Sequence, residues 1–120
     1  MAKNIYHEAG VEDRVGKFAV AQVTLNRVEM GKWGNSICEV VHAYKQFSWT
    51  LKSSLRNERP SGPLWEASVE VAEQFVNGVR MRGFERVTHY HATYVNPVWS
   101  RGEPVKAKIG THVFFEDIAI

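Results

Sequence analysis

The stretch from Asp13 to Met30 constrains this chain more than any other. Val15, Phe18, Ala19, Gln22, Val23 and Asn26 recur at helical spacing, while Val20, Ala21 and Leu25 place apolar groups on the opposite side. A helix that is apolar nearly all round is stable only when other elements cover it. The rest of the chain must therefore wrap around this one helix, which Gly31 and Gly34 end.

The flanking segments supply that cover. Residues 3–9 read as a short helix ending at Gly10, a residue favoured just past helix ends. Asn35 or Ser36 caps a further helix through about Tyr44, with Ile37, Val40, Val41 and Tyr44 on its apolar face. Residues 45–60 lack periodicity and read as a loop. Ser61-Gly62-Pro63 opens another helix, with Pro63 suited to its first turn. Its stripe is Leu64, Ala67, Ser68, Val71, Ala72 and Phe75, and Gly78 closes it. The last third changes period. Residues 88–95 alternate and are rich in β-formers, Asn96-Pro97 turns, and residues 112–116 form a second strand, so the pair suggests a hairpin with a long connection. Helices followed by a small antiparallel sheet make an α+β domain. At 120 residues, 44% of them hydrophobic, residues 1–120 read as a single domain with its own core.

Charge and cysteine content exclude several classes. The net charge is +2, and the basic residues are scattered among acids, so there is no nucleic-acid footprint. This mild excess suits weak attraction to an anionic polymer such as a bacterial wall. No apolar run approaches the ~18 residues of a membrane span, and no apolar signal-peptide core follows the first residues. Cys38 stands alone, so no internal disulfide forms.

The candidate chemistry begins at Glu8. It lies among Ile5, Tyr6 and Ala9, a setting that desolvates a carboxyl, raises its pKa and equips it as a general acid. Glu12 and Asp13 follow in a more polar turn where they stay ionised. Two carboxylates in contrasting environments are the pattern of glycosidic-bond cleavage. A helix-end Glu that caps or pairs with an Arg is the plainer alternative. Trp49, Tyr90, Tyr94 and Trp99 fall in loop and strand regions, where flat aromatic faces stack on sugar rings. His7-Glu8 starts a zinc-protease motif, but position 11 is Val where a second His is needed. His89 and His91 share a strand face, and His112 would complete a three-His site, yet nothing fixes that third distance. We therefore expect no metal. Cys38 and His42, four apart on a helix, are a possible nucleophile and base, set against a buried structural cysteine.

Four blocks in order then resemble the cell-wall hydrolases related to the spore-cortex-lytic enzyme. They are Ile5-Tyr6-His7-Glu8-Ala9 with Glu12 and residues 16–28, Gln46-Phe47-Ser48-Trp49, residues 90–97 with Trp99, and residues 109–115. The resemblance implies a lysozyme-like fold close to the small lytic transglycosylases, a helical body with a small sheet beside the cleft. It implies cleavage of the N-acetylmuramic acid to N-acetylglucosamine bond of peptidoglycan, Glu8 as catalytic acid/base, and no metal or organic cofactor. Glu12 is then either a second catalytic carboxylate, as a muramidase needs, or a structural group holding the Glu8 turn. Gln46, Ser48, Trp49, Tyr90, His91, Tyr94, Asn96 and Trp99 are the expected substrate contacts. Position 7 is His where many relatives have Gly, the first helix is shorter than the family's, and residues 48–62 map poorly. A lone catalytic domain without a signal resembles a phage endolysin, made in the host cytoplasm and acting on the wall as a monomer. Two rivals remain. One is a Cys38/His42 peptidase or amidase acting on wall peptides; the other is a wall-binding module without catalysis.

Overall fold

The computed structural model describes residues 1–43 and 46–116. The central helix forms as the pattern demands. Helix α2 spans Arg14–Met30, following α1 at Ala2–Ala9. The Asp13 side chain caps α2 by accepting from the Gly16 amide at 3.0 Å. Gly31 closes it at φ 74°, a left-handed conformation that a side chain disfavours. Ala19, Val20, Ala21 and Val23 are fully buried. Three core clusters surround the helix. Val20 and Val23 pack with Phe84, Val87 and Phe114; Ala21 packs with Ile5, Val71 and Phe75; Val28 leans on Val40, Val41, Phe47 and Trp49. Val15 escapes this enclosure and is exposed at the first turn.

Helix α1 and two helices that follow α2 in the chain cover α2. Helix α3 spans Ile37–Val41 with Ser36 as its cap, shorter than the sequence pattern suggests, and Tyr44 lies outside the described residues. The expected loop at 45–60 contains a 3₁₀ turn at Ser48–Leu51 and helix α4 at Ser53–Arg56. Segments of four residues are too short to show a period, so the sequence hid them. Helix α5 spans Pro63–Val76 and packs against both α1 and α2.

The sheet has three strands. Strand β1 is Val87–Ala92, β2 is Ala107–Ile109 and β3 is His112–Glu116, in spatial order β1-β3-β2 with both pairings antiparallel. Strand β2 was missed because Ala-Lys-Ile is too brief to alternate visibly. The tight hairpin joins β2 to β3 through Gly110-Thr111, and the long connection runs from β1 to β2. Strand β1 stops at Ala92, so Thr93, Tyr94 and Val95 belong to the turn beyond it, where Thr93 N still donates to Thr111 O at 2.8 Å.

Polar residues on α2 position the sheet. Asn26 Nδ2 donates to Phe84 O and Val87 O, both at 2.8 Å, and Gln22 Oε1 accepts from Met81 N at 2.8 Å. These bonds satisfy two carbonyls and one amide of the backbone and anchor the start of β1. On α1, Asn4 Nδ2 donates to Thr24 Oγ1, and Asn4 Oδ1 accepts from Trp49 Nε1 at 2.8 Å. The short first helix is thereby tied to α2 and to the 3₁₀ turn.

Candidate active site

Glu8 sits in the last turn of α1, facing β1. The Tyr90 hydroxyl donates to Glu8 Oε1 at 2.5 Å. Strand alternation explains the contact. Tyr90, paired with Phe114 across the sheet, turns toward α2 and packs on His112 and Phe114. Arg27, one residue beyond the Asn26 anchor, brings a cation to the same region. It is 5% exposed, donates through Nε to Thr88 O at 2.8 Å, and lies between the rings of Trp33 and Phe47. Its Nη1 donates to Gln46 Oε1 at 3.2 Å.

Burial pushes the Glu8 carboxyl above its usual range, and the Tyr90 hydrogen bond and the Arg27 charge oppose that rise in part. Tyr90 is held protonated, first by burial and then by the Glu8 carboxylate beside it. The group is a protonatable acid with a fixed hydroxyl on one oxygen and a cation nearby.

Glu12 has a different environment. Its Oε1 accepts from Thr111 N at 2.8 Å and from Thr111 Oγ1 at 2.5 Å, with His112 Nδ1 at 3.4 Å. Gly110 lies against its other oxygen, close enough that an added Cβ would be 2.7 Å from Oε2. The Thr111 hydrogen bonds, above all from the hydroxyl, hold Glu12 below the usual carboxylate range. Glu12 therefore clips the β2–β3 turn onto the α1–α2 junction. The sequence predicts a raised Glu8 beside an ionised Glu12; Glu8 is raised, and Glu12 is held low by Thr111.

The expected contact residues divide. Gln46 joins Glu8 and Tyr90 through Arg27. Ser48 is exposed at the start of the 3₁₀ turn. Trp49 is 5% exposed, and its ring is covered by the stacked imidazole of His7 at 4.5 Å. It is a largely buried residue with His7 stacked on its ring, and it meets only the cavity beside Lys3. His91 points to the sheet face opposite Tyr90, where it packs on Phe115 and Trp99. His89 shares that face against Trp33 and Trp99. His112 lies beside Tyr90 on the other face, so the three histidines do not converge. Among the described residues no group of three side chains is placed to hold a metal ion. Tyr94 is 84% exposed and Asn96 is exposed, both in the turn beyond β1.

Cys38 is exposed, contrary to the buried reading. Helix α3 is short and turns this position away from Val40 and Val41. Its Sγ is 3.7 Å from His42 Nδ1, which lies 2.9 Å from the Cys38 carbonyl. An Nδ1–H donating to that carbonyl cannot take the thiol proton, which argues against a thiol nucleophile. Sequence reasoning missed Arg27. Its signal was an arginine inside the apolar stretch of α2, since charges are rarely interior without partners.

Residues 11–115 match the family described as Cell Wall Hydrolase. The chain belongs to the cell-wall hydrolase family. The match takes in Glu12, Arg27 and Tyr90; Glu8 precedes it by one helical turn. Two solved structures are similar. The catalytic domain of the Bacillus cereus SleB protein aligns with a TM-score of 0.74 at 26% identity, over 97% of this chain and 86% of that one. The catalytic domain of the germination-specific lytic transglycosylase SleB from Bacillus anthracis gives 0.75 at 26% identity, over 97% and 90%. Among curated proteins none matches. The fold of this cell-wall hydrolase is thus the expected one, a helical body carrying a small antiparallel sheet. No helix among the described residues is long and apolar enough to cross a membrane.

Proposed function

We propose that this cell-wall hydrolase cleaves the β-1,4 bond between N-acetylmuramic acid and N-acetylglucosamine in peptidoglycan, with Glu8 as acid and base, by lytic transglycosylation. The observation that carries the reading is the half-buried Glu8 carboxyl, its pKa raised by desolvation, with the Tyr90 hydroxyl on Oε1. Likeness to a SleB domain described as a lytic transglycosylase supports it.

Tyr90 occupies Oε1 and so leaves Oε2 to carry the acidic proton. That proton passes to the bridging oxygen as the bond to C1 breaks and an oxocarbenium-like centre develops. Glu8 is then an anion, steadied by the Tyr90 donor and the Arg27 charge. The muramic 6-hydroxyl attacks C1, its proton returns to Glu8, and a 1,6-anhydro ring closes. The nucleophile belongs to the substrate, so no second carboxylate is needed and its entropy is already spent. Glu12, engaged at Oε1 by Thr111 of the β2–β3 turn and with Gly110 close against Oε2, supports this route over direct hydrolysis.

Mass spectrometry of products from purified peptidoglycan tests the proposal. Muropeptides with 1,6-anhydro muramic ends are expected, and Glu8→Gln should release none while keeping its fold. Reducing muramic ends, one water heavier, would replace transglycosylation by a muramidase reaction. Free peptide fragments without glycan cleavage would overturn Glu8 and favour the amidase reading. Binding to insoluble wall with no soluble product would leave a binding module.

A further inference from the structure

A cavity of about 460 Å³ lies away from the Glu8 carboxyl, toward the other end of α1. Lys3, Asn4, Ile37, Cys38, Val41, His42, Trp49 and Arg56 are among its walls. Its charges are of one sign. Lys3 Nζ donates to the Arg56 carbonyl, and Arg56 Nη1 donates to Thr50 O at 3.0 Å. Both cations thus meet neutral carbonyls, which leave their charge uncompensated. Among the described residues no carboxylate pairs with either, and no Asp or Glu lines the cavity. Ile37 and Val41 form an apolar wall beside them. Two nearby cations without counter-ions beside small aliphatic groups match an anionic chain with small apolar side chains.

The cavity neighbours the site along α1. Asn4 and Glu8 are four apart on α1, and so are Lys3 and His7, so each pair shares a helix face about 6 Å apart along the axis. Trp49 lines the cavity and stacks on His7, the neighbour of Glu8. A glycan strand broken at Glu8 carries, on its muramic lactyl group, a peptide stem of alanyl and carboxylate-bearing residues. Each residue of an extended stem reaches about 3.5 Å, so two residues exceed the ~6 Å that separates Asn4 from Glu8 along the helix axis.

We infer that the Lys3–Arg56 cavity binds the carboxylates of the peptide stem, making stem-bearing glycan the preferred substrate. The inference rests on the glycosidase reading for the bond that is cut. Its binding test does not. Cys38 lines the cavity, is exposed, and is the single cysteine of the chain, so thiol alkylation reports occupancy at one position.

The experiment measures N-ethylmaleimide labelling of Cys38 with and without the N-acetylated stem tetrapeptide, in the Glu8→Gln variant so that turnover plays no part. The expected result is saturable slowing of several-fold, lost in the Lys3→Gln/Arg56→Gln double variant. Unchanged labelling overturns the inference. Equal slowing by acetate or inorganic phosphate at matched ionic strength also overturns it, leaving a general anion site. In parallel, lysis by the Lys3→Gln/Arg56→Gln variant should fall several-fold on intact wall and less than twofold on strands stripped of stems by an amidase. Equal loss on both substrates overturns the preference. Absence of glycosidic products from the wild type would sink the Glu8 reading instead, with the labelling result still standing.

Discussion

Removing the Glu12 carboxylate separates its structural from its chemical role. In Glu12→Ala, Thr111 loses an acceptor for both its amide (2.8 Å) and its hydroxyl (2.5 Å), and His112 loses an anion at 3.4 Å. The Glu12 side chain is 9% exposed, while Thr111 reaches solvent and re-forms bonds to water. Hydrogen bonds to a charged acceptor contribute ~1.5–3 kcal/mol each, so the low end applies and the total is about 2–3 kcal/mol. For a domain of this size that lowers the melting temperature by roughly 8–12 °C. Gly110 supplies the control. Its φ is +58° and an added Cβ would meet Glu12 Oε2 at 2.7 Å. Gly110→Ala alone should therefore cost the left-handed strain of ~1–2 kcal/mol plus the clash. In the Glu12→Ala background the clash is gone and only the strain remains, so the two substitutions should be less than additive. The assay is thermal unfolding of the four proteins by circular dichroism, with wall lysis measured well below each melting point. Glu12→Ala should keep lysis within about tenfold of wild type per folded molecule, a barrier change under ~1.4 kcal/mol. An unchanged melting temperature with lysis abolished would refute the clip and make Glu12 a catalytic partner.

The other outcomes follow from the same contacts. Because the Glu12 pKa is depressed on folding, its stabilisation is present above the unfolded carboxyl value and fades as pH falls through the folded one; the melting difference between wild type and Glu12→Ala should shrink in acid. Glu8 has the opposite sign: its pKa is raised on folding, so its ionisation destabilises the fold as pH rises. Glu8→Gln should melt higher than wild type at neutral pH and converge with it in acid; a lower neutral melting point would contradict the desolvated carboxyl. Tyr90→Phe removes the donor to Oε1, so the alkaline limb of the pH–rate profile should move upward and the plateau fall about tenfold, a loss near the low end for a bond to a charged group. An unmoved limb would dissociate Tyr90 from Glu8. Arg27→Met leaves the Thr88 carbonyl and Gln46 without their donor and removes the cation near Glu8. It should move the same limb upward and lower the melting temperature; a downward limb would refute the assigned electrostatics.

Much of this protein was written in local pattern. The all-round apolar character of α2 required burial on every side, and three clusters enclose it. Ser36, Pro63 and Gly31 marked helix ends because caps depend on a few neighbouring residues. Glu8 was legible because three apolar neighbours in one helical turn already imply desolvation. What the sequence could not hold was anything set by contact across distance. That Tyr90 faces Glu8 while His91 faces away depends on strand register. That Glu12 meets Thr111, 99 positions on, depends on docking the hairpin against the α1–α2 turn. Trp49 looked like an open sugar platform until His7 covered it, and Cys38 looked buried until a five-residue helix left it outside. Local free energies of capping, propensity and amphipathicity are decided within a few residues. The pairing of distant polar groups is decided only when the hydrophobic core brings their elements together, and there the two carboxylates acquired their different environments.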